Sequence, residues 1–232
     1  MTRVKICGIT NLEDALYAAE CGADAIGFIF YQKSPRFIEK TVAKEIISNL
    51  PPFIAIVGVF VNQDLEDVIK TVYDCKLDAV QLHGDESPDY CSKIPLLSPF
   101  NKGGVGRIKV IKAIRVRDED SLKKMADYRV DAFLLDSHSE NNYGGTGKIF
   151  NWNLAIKAKG YGRIILSGGL TPDNIKEAFS AIDTAWNTDK LVLFVTQKNS
   201  RIEDPTDKDL YKVGTVCLIR RVVKNPEGEY TL

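Results

Sequence analysis

Cys7, Asp136 and the pair Gln81 and His83 are the side chains of this sequence suited to acid–base chemistry on a small molecule. A thiolate acts as a base or a nucleophile when a cationic neighbour lowers its pKa. Gly8 follows Cys7 directly and leaves room for a substrate to approach the sulfur. Asp136 follows Phe133, Leu134 and Leu135, and a carboxyl group in partly apolar surroundings holds its proton near neutral pH and serves as a general acid. Read alone, each residue has a plainer explanation, Cys7 as a core cysteine and Asp136 as a capping or ion-paired aspartate. Gln81 and His83 lie two apart, on one face of an otherwise apolar strand, where core packing does not explain them. His138, in the polar run SHSENN, is expected to face solvent.

Two glycine-rich stretches invite an anion-binding reading. GGTGK at 144–148 is not a nucleotide loop, because that motif needs glycine where Asn142 stands and Ser or Thr where Ile149 stands. SGGL at 167–170 fits better: Gly168 and Gly169 expose backbone N–H groups, and TPDN then starts a helix whose dipole favours a phosphate.

The elements that must position these residues are short apolar runs alternating with stretches of helical period, the pattern of βα units and a parallel sheet. Seven strands are expected: VKICGI (4–9), AIGFIF (25–30), AIVGVF (55–60), AVQLHG (79–84), RIKVIKAI (107–114), DAFLLDS (131–137) and RIILSGG (163–169). The first helix is NLEDALYAAECG, capped by Asn11 and ended by Gly22, and others are expected to start near Thr41, Asn62, Ser87, Asp118, Asn151 and Thr171. Strands apolar throughout are covered on both faces, and no dinucleotide fingerprint follows the first strand, so an α/β fold of the (β/α)8 TIM-barrel type is favoured over a doubly wound sheet. The polar and glycine residues gather at the C-terminal ends of the strands, the rim where barrel active sites sit.

Bulk properties exclude several partners. A formal net charge of 0 gives no field for nucleic acid or an acidic membrane. FIAIVGVFV (53–61) has half the roughly 20 residues of a membrane helix, and MTRVKICGIT turns polar too soon for a signal peptide, so a cytoplasmic protein is expected. The five cysteines form no metal-like cluster and are read as reduced thiols, with Cys21 and Cys75 as small core fillers.

Residues 4 to about 178 resemble phosphoribosylanthranilate isomerases, matching in order VKICGIT, DAIGFIF with SPR, VGVF, QLHGDE, FLLDS, GGTGKIFNW and ILSGGLTPDN. The resemblance implies an Amadori rearrangement of tryptophan biosynthesis on a phosphorylated small-molecule substrate, with no cofactor and no metal. It implies Asp136 as the general acid on the ribose ring oxygen and Cys7 as the general base at C2. Arg36 would orient the substrate, Gln81 and His83 would line the anthranilate side, and Gly168 and Gly169 would form half of the phosphate site. The family's D-x-S-S-G-x-E type loop, which completes that site after an eighth strand, has no counterpart here, so impaired activity is expected.

The segment from about 180 to 232 resembles instead the N-terminal domain of Lon-type ATP-dependent proteases, through TDKLVLFVTQKN, EDPT, DLYKVGTV and the PEG turn. The expected organisation is thus an incomplete barrel over 1–179 and a β-rich fragment over 180–232 that replaces the last βα unit. KLVLFV (190–195) is expected to dock at least partly in the gap between strands seven and one, and the chain is expected to end in an antiparallel hairpin around NPEG. A non-catalytic interaction protein that uses this tail is the alternative.

Overall fold

A computed structural model of the chain describes residues 3–97, 107–137 and 153–167 and the strand segments 192–197, 210–217, 223–224 and 230–231. Seven strands pair in parallel in chain order: β1 (Lys5–Cys7), β2 (Ala25–Ile29), β3 (Ala55–Phe60), β4 (Ala79–Leu82), β5 (Lys109–Val116), β6 (Ala132–Ser137) and β7 (Ile164–Leu166). Between them lie α1 (Leu12–Glu20), α2 (Lys40–Ser48), α3 (Leu65–Asp74), α4 (Pro88–Leu97), α5 (Glu119–Lys123) and α6 (Asn153–Ala158).

The strand pleat divides the apolar residues into layers. Val57, Ala79, Ile111, Ala113 and Leu134, from β3 to β6, meet in one cluster that Ala25 of β2 and Ile165 of β7 also join. A flat sheet could not bring side chains of six successive strands together, so this cluster is the interior of a curled, barrel-like sheet. The alternate residues, among them Ile26, Phe28, Ile56, Phe60, Val80 and Leu82, point outward into the layer under the helices. Phe28 and Phe60 are fully buried there, each contributing about 1.5–3 kcal/mol.

Helix ends follow the sequence signals closely. The Asn11 side chain accepts from the N–H of Asp14 at the start of α1, and Gly22 takes a φ of +91° just beyond its end. Asp118 and Ser121 form a capping box at the start of α5. The helix expected from Asn62 begins later, at Leu65, because Asn62 has a φ of +49°, outside the helical region. The helix expected near Thr171 lies outside the described residues.

One device recurs that the strand patterns did not predict. Asp24, Asp78 and Asp131 each precede an alanine that opens β2, β4 or β6. Their carboxylates accept from the N–H of Val4 (2.8 Å), Ile56 (2.7 Å) and Val110 (2.9 Å), at the start of the preceding strand. Each aspartate satisfies a backbone donor at the N-terminal end of the sheet and sets the stagger of one strand pair.

In the tail, β8 (Val192–Gln197) pairs antiparallel with β9 (Leu210–Cys217), and β10 (Val223–Lys224) with β11 (Tyr230–Thr231). The hairpin expected around NPEG is thus present in its pairing. Of KLVLFV, residues 190 and 191 lie outside the described residues, and the rest does not fill the gap as a paired strand: among the described residues β8 is hydrogen-bonded only to β9 and does not enter the seven-stranded sheet. It is β9 that comes near β1 and β7. An antiparallel partner next in the chain satisfies the backbone of β8 without the crossover and double register that a parallel insertion demands.

Candidate active site

The first strand ends at Cys7, whose sulfur is half-buried beside β2. Gly27 makes the room: a Cβ there would lie 2.8 Å from Cys7 Sγ and 2.9 Å from Lys5 Nζ. Lys5, two residues before Cys7 on the same face, is itself buried. Its ammonium and the thiol therefore lie against the same point of β2.

Arg36 reaches this strand from the loop between β2 and α2. A Ser34 turn fixes the loop, the Ser34 hydroxyl accepting from the Arg36 N–H at 3.2 Å. From there Nη1 donates to the carbonyl of Cys7 at 3.0 Å. The guanidinium lies over Gly8, which has a φ of +84°. Arg36 Nε is buried and has no acceptor among the described residues.

The second group of polar residues comes from β4 and β6. Gln81 and Asp136 are buried, and the His83 side chain is 11% exposed. Gln81 Nε2 is 3.0 Å from His83 Nδ1, and His83 Nε2 is 3.1 Å from Asp136 Oδ2. Three sequence candidates are thus joined in one hydrogen-bonded chain. The loop that carries His83 is held by a buried ion pair: Lys112 Nζ donates to Glu86 Oε2 (2.9 Å) and the Gly84 carbonyl (2.8 Å), while Glu86 accepts from the N–H groups of Gly84 and Asn62. Arg115, opposite Asp136 in the β5–β6 register, forms an ion pair with Asp85.

Lys5 and Arg115 escaped the sequence reading, although the two-residue period that singled out Gln81 and His83 would have found Lys5 from Cys7. Gly168, Gly169 and His138 lie outside the described residues, as does GGTGK. Ser167, just before the two glycines, is buried, and its N–H donates to the Leu135 carbonyl at 2.7 Å. Of the cysteines, Cys75 and Cys91 are buried, whereas Cys21 is exposed beyond α1 and is not the core filler expected. As the residue capping α1, Cys21 uses its N–H to close the last turn while its side chain leaves the buried face of Ala15 and Ala18. A cleft of about 300 Å³ beside the β2–α2 loop is lined by Tyr31, Phe37 and Val61, but by none of Cys7, Gln81, His83 or Asp136.

A parallel βα sheet curled around an apolar interior, with a thiol, a carboxyl group, an imidazole and a guanidinium at the C-terminal ends of its strands, defines the class of barrel enzymes. The family described as N-(5'-phosphoribosyl)anthranilate (PRA) isomerase matches residues 4–213, and the chain belongs to it. That match runs past residue 180 into the tail. The N-(5'-phosphoribosyl)anthranilate isomerase of Citrifermentans bemidjiense is 53% identical over 182 residues, 78% of this chain and 82% of that protein. The isomerase of Geobacter sulfurreducens is 51% identical over 78% of this chain and 84% of its own. Among solved structures, the isomerase of Thermotoga maritima is 44% identical with a TM-score of 0.67, covering 79% of this chain and 83% of its own. A second structure of such an isomerase, in complex with reduced 1-(o-carboxyphenylamino)-1-deoxyribulose 5-phosphate, is 41% identical with a TM-score of 0.65, covering 79% and 84%.

Proposed function

We propose that the chain is a cytosolic phosphoribosylanthranilate isomerase of tryptophan biosynthesis that converts N-(5-phosphoribosyl)anthranilate into 1-(o-carboxyphenylamino)-1-deoxyribulose 5-phosphate. The observation that carries this reading is the buried carboxyl group of Asp136 at the end of β6, hydrogen-bonded to His83 in a chain whose family relatives catalyse this rearrangement. Asp136 gives its proton to the ribose ring oxygen, and the ring opens to an iminium. Cys7, as thiolate, then removes the C2 proton, and the resulting enolamine relaxes to the ketone. The Nε–H of Arg36, without an acceptor among the described residues, suits an anionic group of the substrate, and the guanidinium's bond to the Cys7 carbonyl ties that contact to the base. Gly168 and Gly169 are the phosphate contacts in this reading.

The rate falls well below the family's ordinary efficiency, because the sequence lacks the loop that supplies the remaining phosphate donors. The tail, with its own antiparallel pairs β8–β9 and β10–β11, is the Lon-like replacement for the last βα unit and takes no part in the chemistry. Turnover of phosphoribosylanthranilate, followed by its fluorescence, tests the proposal. A slow reaction abolished by both Cys7→Ala and Asp136→Ala is expected. Turnover indifferent to either change would sink the assignment of acid and base, and ordinary family efficiency would sink the role given to the missing loop.

A further inference from the structure

With the Gln81 amide nitrogen facing His83 Nδ1, the contacts among Gln81, His83 and Asp136 admit one assignment of hydrogens. An amide nitrogen donates and does not accept, so Gln81 Nε2 donates to His83 Nδ1 across their 3.0 Å contact. A neutral ring whose Nδ1 accepts carries its hydrogen on Nε2. That nitrogen is 3.1 Å from Asp136 Oδ2, which accepts. Gln81 keeps this orientation although its Oε1 is buried without a partner among the described residues.

We infer that Gln81 and His83 are positioning residues for the acid: the amide fixes the imidazole as its Nε2–H tautomer, and Nε2–H holds Oδ2 of Asp136 as an acceptor, so that Oδ1 carries the transferable proton. This inference rests on Asp136 being the acid of the proposed reaction. The proton passes from Oδ1 to the ribose ring oxygen, and the same Nε2–H then stabilises the carboxylate left behind. His83 neither gains nor loses a proton. Its role differs from that of an imidazole relay, and also from that of a residue that merely lines the anthranilate side. An uncompensated buried carbonyl lowers stability, so Gln81 is poorly explained as a core residue. A leucine of similar size would serve the core at least as well.

The test reads the tautomer directly. The chain has two histidines, so the full chain with His138→Gln leaves His83 as the single imidazole for long-range nitrogen–proton correlation spectroscopy. At neutral pH the spectrum is expected to show Nδ1 unprotonated and Nε2 protonated. Gln81→Glu, whose carboxylate only accepts, is expected to bring a hydrogen onto Nδ1, and Gln81→Leu to leave the melting temperature unchanged while the two tautomers mix. An Nδ1–H tautomer in the parent, or an unaltered spectrum in both Gln81 variants, overturns the inference. The spectrum requires no turnover, so its outcome is separate from the outcome for the isomerase reading. With substrate, Gln81→Leu is expected to lower kcat by roughly tenfold or more at little-changed KM, part of the effect of a general acid. A raised KM at unchanged kcat would make Gln81 a substrate contact and overturn its positioning role.

Discussion

The guanidinium of Arg36 donates to the carbonyl oxygen of Cys7 at 3.0 Å and lies directly on Gly8. Gly8 permits this contact in two ways. Its φ of +84° is one that other residues adopt only with strain, and a Cβ would come 2.6 Å from Arg36 Nη1 and 2.8 Å from Arg36 Cδ. Gly8→Ala is therefore expected to cost about 1–3 kcal/mol of stability and to displace Arg36. A displacement near 1 Å at a reacting centre lowers kcat/KM by about 10²-fold. Urea unfolding and steady-state turnover check the two effects. Parent values for both would mean that the contact between Arg36 and Cys7 serves neither the fold nor the reaction.

The aspartates that open β2, β4 and β6 give a second prediction. Asp78 is the clearest case, since its carboxylate accepts from the Ile56 N–H at 2.7 Å while its own N–H donates to the Ile56 carbonyl at 2.8 Å. Asp78→Ala leaves the Ile56 donor at the start of β3 without its acceptor. It is expected to lower the unfolding free energy by about 1–3 kcal/mol with an unchanged denaturant slope. Asp24→Ala and Asp131→Ala should behave alike, because each breaks the same contact in another strand pair. A wild-type midpoint in all three would remove the stagger-setting role.

Much of this architecture was legible in the residues because two periods were clean. AIVGVF and AVQLHG read as buried strands, and their alternate residues do separate into an interior layer with Val57 and Ala79 and an outer layer with Ile56, Phe60 and Val80. Asn11 and Gly22 bounded α1 through local hydrogen bonds and backbone conformation, which sequence encodes directly. What stayed hidden depended on pairing between distant segments. The Asp-Ala dipeptides at 24–25, 78–79 and 131–132 are a visible repeat, but their purpose appears only when strands about twenty residues apart lie side by side. The same holds for the site: Gln81 and His83 could be placed on one face, but the contact of His83 with Asp136 spans 53 residues. The partner of KLVLFV was not legible, because its apolar pattern suits a parallel or an antiparallel neighbour equally, and β8 pairs with β9.

The ion pair of Lys112 and Glu86 is the most deeply buried in the described residues, with side chains 3% and 2% exposed. It ties β5 to the loop after β4, and Tyr128 adds a hydroxyl bond to the Glu86 carbonyl at 3.0 Å. Lys112→Met leaves a buried carboxylate that keeps only backbone donors, and should cost about 3–5 kcal/mol. Adding Glu86→Leu should restore part of that loss, because the desolvated charge goes with it. A double-mutant cycle by denaturant unfolding measures the coupling. Additive losses would show that the two groups act independently.

Cys91, on α4, sets the last prediction, since burial pushes its thiol up to about 12, with Lys112 opposing and Glu86 adding to the shift. In the unfolded chain a thiol ionises near about 8.5. The folded protein therefore holds a proton that the unfolded chain releases between those two values. The associated stability is fully present below the unfolded value and is lost as pH rises toward the folded one. Burial shifts Cys75 and Tyr90 in the same direction, so they add to the slope. The urea midpoint is expected to fall steadily from about pH 9 upward, and Cys91→Ala to flatten part of that fall while lowering the midpoint at neutral pH through the lost packing. A thiol reagent at mildly alkaline pH should label exposed Cys21 well before buried Cys91, which it should reach only as the protein unfolds. If Cys91→Ala left the alkaline slope unchanged, the ionisation driving it would belong to other groups, and the thiol would be a packing element without a share in the pH response.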